Sequence, residues 1–434
     1  MFSSVQTETV IVGSGPGGAT AARELASLGR KVIIVEKGDS RPRPVLYHDH
    51  PNLLVKGTKL FKKTLGIQPF SPAISVRTWI GVGGTSMVSS ANAVRGWQRE
   101  LGSLGIDLAD EFAWLEKAYR ISPFPEYLIG PGAFKTWKAA ESLGIAMEPI
   151  PKLIDIEQCD GCGLCNHRCP KNAKWTAEHD IQKAEKQGAR LLKGTAVSRV
   201  THSGGTATGV VARAPDGEEI RIEADNVILA AGAVGTPIIL QNSGIDSAGH
   251  QFFCHPFFSI FGPIPGHDLG REPRSICSKQ FLEEDGFLLA NDIMRQPGHS
   301  SGKGELAIMV KAKDDIEGRV LPTGSIHKDY SADVLEKAKK SIQWSTEILA
   351  KAGVPRRKIK VVYHAALHPG GTAGIGRVVD SDLETELKNC YVADASVLPS
   401  PTGIPPILTI MALSRRLAKK LAQKRDRVEQ GEGE

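Results

Sequence analysis

Four cysteines lie within eleven residues: Cys159, Cys162, Cys165 and Cys169, spaced C-x2-C-x2-C-x3-C and followed by Pro170. Thiolates are soft ligands. Three of them two residues apart, on a tight loop with Gly161 and Gly163, can face three corners of a cubane [4Fe–4S] cluster. The fourth corner can fall to Cys169, or to Cys254, Cys277 or Cys390, the remaining cysteines of the chain. His167, Arg168, Lys171 and Lys174 stand near enough in sequence to offset a cluster's negative charge. Structural zinc and reduced cysteines packed under a neighbouring domain remain as alternatives, although zinc sites typically use two separated pairs.

A second stretch, Thr9 to Gly38, carries a different chemistry. Val10, Ile11 and Val12 form an apolar β-run that breaks into Gly13-Ser14-Gly15-Pro16-Gly17-Gly18. A helix-favouring segment follows to Leu28, Gly29 stops it, and Lys31–Val35 is a second strand ending at Glu36. Gly13 serves the tight turn, Gly15 lets a pyrophosphate approach the backbone, and Gly18 lets helix pack on strand. The helix N-terminus offers free N–H groups to phosphates. Glu36 can accept hydrogen bonds from a ribose. Strand, turn, helix and acid together predict dinucleotide binding, against a glycine-rich turn that binds nothing.

The elements that must position these groups can be read in outline. The chain has 434 residues with 41% hydrophobic content, enough for two or three domains. Its net charge of +6 is spread along the sequence and does not point to nucleic acid. The first residues enter a strand without a basic and then apolar leader, and no apolar run reaches the ~18 residues of a membrane span. The richest run, Phe252 to Pro263, is interrupted by His255 and two prolines. A cytoplasmic location follows, in which clustered cysteines favour metal or cofactor chemistry over disulfides.

Residues 40–75, rich in proline and in basic residues such as Arg41, Lys56, Lys59, Lys62 and Lys63, read as an excursion with a solvated face. Ile106 to Ile121 has helical spacing. Leu191 to Ala212 reads as two strands around His202–Gly205, with a third at Glu219–Ala224. Asn226–Gly232 reads as a separate buried strand ending in small residues. Residues 251–330, with Phe252, Phe253, Phe257, Phe258 and Phe261 as core and a polar run at His299–Gly304, form a cap or second domain. Ser331 to Ala352 is a helix stopped by Gly353 and Pro355. A strand at Lys358–Tyr363, a glycine-rich loop and a last helix close the chain. In that helix Ile410, Leu413, Leu417 and Leu421 face the core, and Arg415, Arg416, Lys419 and Lys420 face solvent.

Three separated stretches resemble the glucose-methanol-choline (GMC) oxidoreductases, which bind FAD in a two-domain fold. The first is Thr9–Glu36. The second is Gly83-Gly84-Thr85-Ser86 with Arg95-Gly96, where Ser89 stands in place of the family's common asparagine. The third is Gly232-Ala233-Val234-Gly235-Thr236-Pro237 through Ser243-Gly244-Ile245, with Asp246 in place of glycine. The match continues at His368-Pro369-Gly370-Gly371-Thr372, similar to the family's catalytic histidine followed by Gly-Thr. It extends to Val392–Pro399, similar to the segment that brings a backbone turn to FAD. The resemblance implies FAD contacts at Gly13, Gly15, Gly18, Glu36, Gly83, Gly84, Thr85, Ser86, Val197, Gly232, Asp394, Ala395 and Pro406. The four cysteines match the bacterial ferredoxin run, for which they are the cluster ligands.

The fold expected is α/β: a Rossmann-type FAD-binding domain with a smaller α+β substrate domain. The parts would be 1–125 and 186–250 for FAD, 126–185 for a connecting segment with the cysteines, 251–360 for the cap, and 361–434 for the C-terminal FAD and catalytic segment. In this family a histidine facing the flavin takes the substrate's hydroxyl proton as hydride leaves for N5. His368 falls on that position. The second polar position falls on Pro405, whose side chain can neither donate nor accept, and His364 is the nearest candidate in sequence to replace it. The expected reaction is oxidation of a CH–OH group, or reduction of the matching carbonyl, on a small or medium-sized and rather apolar alcohol or carbonyl substrate. A ferredoxin-like one-electron carrier would be the partner of the cluster. A flavin-dependent reductase of a C=C bond or quinone, a non-catalytic electron-transfer subunit, and an NAD-binding protein with structural zinc are the rival readings.

Overall fold

The computed structural model describes residues 3–40, 43–48, 68–69, 75–167, 169–295 and 304–429. Most of the 40–75 excursion, the 299–303 run and Arg168 therefore lie outside the described residues. Two sheets organise the rest. The first has seven strands in the order 196–203, 206–213, 219–229, 3–12, 32–35 and 190–192, with Cys390–Val392 also paired to the 219–229 strand. The strand Ser3–Val12 runs parallel to both neighbours. Val10, Ile11 and Ile34 are fully buried, as parallel strands covered on both faces require.

The 219–229 strand departs from the sequence reading. Glu219–Leu229 is one continuous strand, not two. Its first half pairs antiparallel with the meander and its second half pairs parallel with Cys390–Val392. The charged break at Asp225 is only a change of neighbour.

The helix Pro16–Ser27 follows the first strand and packs against the C-terminal helix Ile407–Glu429. A Cβ on Gly17 would sit 1.7 Å from the Ala393 carbonyl oxygen, so only glycine permits this approach. Ser414 Oγ donates to the Gly17 carbonyl at 2.6 Å. The two ends of the chain thus meet at the start of the dinucleotide turn. Arg415 differs from its expected solvent position. It is 7% exposed, stacked 4.0 Å over Trp114 and ion-paired to Glu24 and Glu111. Its neighbours Arg416 and Lys420 both pair with Asp382.

The second sheet has eleven strands and contains His250–Gly262, Phe287–Met294, Glu305–Ala312 and Lys360–Gly370. Side chains alternate between its faces. Phe258, Ile260, Ile308 and Val310 pack with Val334, Leu335, Ala338 and Leu349 of the helix Ala332–Lys351. Ser331 caps that helix, accepting from the Val334 N–H at 3.3 Å. Phe257, Ser259, Met309 and Lys311 face the other way, toward the first sheet. The last strand runs on through His364 and His368 to Gly370, so both histidines stand on a strand rather than in a glycine-rich loop.

Candidate active site

One cavity of about 1250 Å³ lies between the two sheets. Pockets for single drug-sized ligands are smaller, ~300–1,000 Å³. This one has room for a dinucleotide and a substrate together. Its wall takes in Gly13, Gly15, Glu36, Gly84, Thr85, Val197, Gly232, Asp394, Ala395, Pro406, His364 and His368. Gly18, Gly83 and Ser86 stand just behind it. Gly18 packs against the Gly13 carbonyl. Gly83 donates its N–H to Ser14 Oγ at 3.2 Å, and Ser86 Oγ accepts from the Ala177 N–H at 2.9 Å. The Gly18 contact is the close packing of helix on strand expected from its place in the glycine turn.

The dinucleotide end is built from short-range contacts. Glu36, 6% exposed, accepts from the Ser14 N–H at 3.0 Å, from Ser14 Oγ at 2.6 Å and from the Gly38 N–H at 2.8 Å. These bonds fix the direction of the carboxylate on the cavity wall. Across the cavity, Asp394 accepts from Gly232 N–H, Thr236 Oγ, Ser396 N–H and Ser396 Oγ at 2.8, 2.6, 2.8 and 2.5 Å. Burial pushes its carboxyl above the usual range, against the pull of those four donors. The Gly232 turn and the Ala395 turn are thereby held together by one side chain.

At the far end stand two histidines, 113 positions apart in sequence and 3.3 Å apart through their Nδ1 atoms. His368 is backbone-strained, with φ +55°, a region that side chains seldom adopt. His255 is fully buried, and its Nε2 accepts from the Gly403 N–H at 3.0 Å. That bond fixes the tautomer: the His255 proton sits on Nδ1 and is donated to His368 Nδ1, which puts the His368 proton on Nε2. Burial, then the Lys311 charge, pushes His368 well below the usual histidine value, and burial pushes His255 down to about 3. The pair is therefore neutral near pH 7.

Pro405 lines the same cavity without a polar group. The residue against His368 is His255, which the sequence reading had noted only as a break in an apolar run. His364, the candidate named from sequence, instead has Nε2 at 2.9 Å from Ser259 Oγ and its ring 5.0 Å from Phe257.

The four cysteines line one small cavity together with Lys171 and Lys174. Cys165 and Gly163 also belong to the wall of the large cavity. A Cβ on Gly163, whose φ is +71°, would meet the Glu272 backbone at 2.7 Å, so glycine is required where the loop crosses that segment. Among the described residues, no three His, Cys, Asp or Glu side chains are arranged to hold a single metal ion. Lys174 donates to the carbonyls of Ser86, Met87, Ser89 and Cys165. Lys152 donates to the Ser90 carbonyl and to Asn92 Oδ1. Burial lowers both ammonium groups to about 8, and Cys165 pulls each back up.

Fold and cavity together define a flavoprotein oxidoreductase. The chain belongs to the GMC oxidoreductase family: the N-terminal GMC profile matches residues 74–257 and the C-terminal one 309–414. An FAD-binding domain profile matches residues 6–44. An uncharacterized GMC-type oxidoreductase of Mycobacterium tuberculosis is 27% identical over 97% of this chain and 77% of its own length. A Methanocaldococcus jannaschii protein is 26% identical over 95% of this chain and 98% of its own. A long-chain-alcohol oxidase of Arabidopsis thaliana is 22% identical over 96% and 68%. The solved structure of pyridoxine 4-oxidase from Mesorbium loti covers 95% of this chain, and 99% of that chain is covered in turn, with TM-score 0.73 and 16% identity. The protein is thus a GMC-type enzyme that binds FAD. Among the described residues no helix is long and apolar enough to cross a membrane.

Proposed function

We propose that the protein interconverts a CH–OH group and its carbonyl on a small-molecule substrate, with His368 bonded to the reacting oxygen. The observation that carries this reading is the His255–His368 pair on the wall of the cavity whose other end is the dinucleotide cradle. FAD, when bound, exchanges hydride at N5. The chain's own residues handle the oxygen and its proton. In the resting tautomer His368 Nε2–H is a donor to a carbonyl or alkoxide oxygen. Taking a hydroxyl proton at Nε2 needs the opposite tautomer, in which His255 surrenders its bond from Gly403. Leaving that buried N–H unpaired costs about 1–3 kcal/mol, small enough that both directions stay open. The alcohol oxidases among the relatives support the hydroxyl substrate.

We propose further that Cys159, Cys162, Cys165 and Cys169 hold a [4Fe–4S] cluster that exchanges single electrons with a ferredoxin-like carrier. A cubane takes one thiolate per iron, so its ligands need not converge on one point as those of zinc must. The shared cavity supports Cys169 as fourth ligand over the buried Cys254, Cys277 and Cys390, which do not line it. Among the described residues, Lys152 and Lys174 have no carboxylate partner, and both suit an anionic centre. The cavity the cysteines line is small, about 10 Å³, with Gly161 and Gly163 in its wall. Anaerobic purification followed by iron, sulfide and flavin assay tests this. About four irons and four sulfides per flavin support the cluster. Flavin without iron or sulfide rules the cluster out and leaves the oxidoreductase reading intact.

A further inference from the structure

Every carboxylate on the wall of the large cavity is engaged. Glu36 and Asp394 are held as described above. Glu272 accepts from the Gly132 and Ala133 N–H groups at 2.7 and 2.8 Å, at the start of the helix Pro131–Glu141. Asp292 is paired with Arg274 at 2.8 Å. Among the described residues, one buried ammonium on the same wall has no such partner. Lys311 is 4% exposed and, among the described residues, has no hydrogen-bond acceptor and no carboxylate within ion-pair reach. Its neighbours add positive charge. Arg274 and Lys152 both act on it, and Arg274 keeps a buried Nε without a partner. Cys277 does not compensate, because burial pushes its thiol up to about 12 and keeps it neutral.

An unpaired buried ammonium is expensive, several kcal/mol even after relaxation, and an apolar side chain would fill the place at no such cost. Position says what the charge is for. Lys311 stands on the floor of the large sheet, opposite Phe257 across one strand pair and Leu288 across the other. Its charge is felt by both His255 and His368. It therefore lies at the histidine end of the cavity, while Ser14, Glu36 and Asp394 mark the dinucleotide end.

We infer that Lys311 anchors an anionic oxygen of the substrate, a carboxylate carried on an apolar body, so that the substrate is a hydroxy acid or the matching oxo acid. This rests on the reading of the cavity as a joint flavin and substrate site. Phe257, Met309, Ile293 and Leu367 supply the apolar surround. Arg274, poised over Phe257 at 5.8 Å, adds a second cation beside the same space. Burial lowers the Lys311 ammonium to about 7, and a bound carboxylate would restore its charge.

The test uses the FAD-loaded protein and two probes of one shape, benzoate and uncharged benzamide, each titrated while the flavin's visible spectrum is followed. Benzoate is expected to bind at least tenfold more tightly than benzamide. Lys311→Met should lose that preference while leaving benzamide affinity and flavin content unchanged. Lys311→Arg should keep it. The Met variant removes a buried charge, so it should fold. Equal binding of the two probes by the wild type overturns the inference, as does a benzoate preference that survives in Lys311→Met. If Lys311→Met instead shifts the flavin's reduction potential and leaves benzoate binding intact, the partner of the ammonium is the flavin and the inference also fails. Covalent trapping of a ketone by borohydride at Lys311 would assign it an amine chemistry and likewise overturn the anion role. Failure of the hydroxyl reading is seen separately: no alcohol or hydroxy acid then bleaches the wild-type flavin, whatever the probes do.

Discussion

The His255–His368 contact makes a prediction about acid stability. His255 is fully buried and its folded-state value is pushed down to about 3. An exposed histidine in the unfolded chain titrates near 6.5. Between those two values the unfolded chain binds a proton that the folded protein refuses. His255 therefore contributes its full stability above about pH 6.5 and loses it as pH falls, at about 1.4 kcal/mol per pH unit. From pH 6.5 to pH 5 that is about 2 kcal/mol from this one ring. His255→Phe removes the titration. At neutral pH it should cost ~2–4 kcal/mol, because the Gly403 N–H loses its acceptor and His368 Nδ1 its donor. In acid the two proteins should converge. The assay is urea unfolding at saturating FAD from pH 7 to pH 5 for both proteins. The difference between them should shrink by about 1.4 kcal/mol per unit below pH 6.5. Parallel curves would refute the reasoning, since His255 would then titrate as freely as an exposed histidine.

Two other substitutions probe the frame. Gly17→Ala places a methyl 1.7 Å from the Ala393 carbonyl, so the two chain ends must separate; the variant should retain little FAD, measured as flavin per chain after gel filtration. Arg415→Met leaves the buried Glu24 without its cation and Glu111 with Lys419 alone, and should destabilise by about 3 kcal/mol in urea unfolding, where a solvated surface arginine would cost less than about 1.

What could be read from the sequence was local. Strand, glycine turn, helix and acid from Thr9 to Glu36 lie within one short segment, so spacing alone ordered them. The cysteine loop and the Asp394 turn are local in the same sense. His255 was hidden because it sits in a run of phenylalanines whose pattern says only buried strand. Its meaning comes from Leu367 and His368, brought beside it by strand pairing across more than a hundred residues. Lys311 was lost among scattered charges, since a lone lysine in a strand reads as solvated until both neighbouring strands are known. Arg415 was misjudged for the same reason. Helical spacing put it on the outer face, and Trp114, Glu24 and Glu111 come from elements that cover that face. The single strand Glu219–Leu229 was read as two because a polar pair interrupts it where its partner changes.

The central claim is that His368 handles the oxygen of a CH–OH substrate beside the flavin. The most direct measurement is the visible spectrum of the FAD-loaded protein, kept free of oxygen, as primary alcohols and hydroxy acids are added to the wild type and to His368→Ala. Bleaching of the flavin band by at least one substrate in the wild type is predicted. In His368→Ala bleaching should be slowed by about 10²–10⁴-fold, with FAD still bound. Equal bleaching rates in the two proteins would contradict the account.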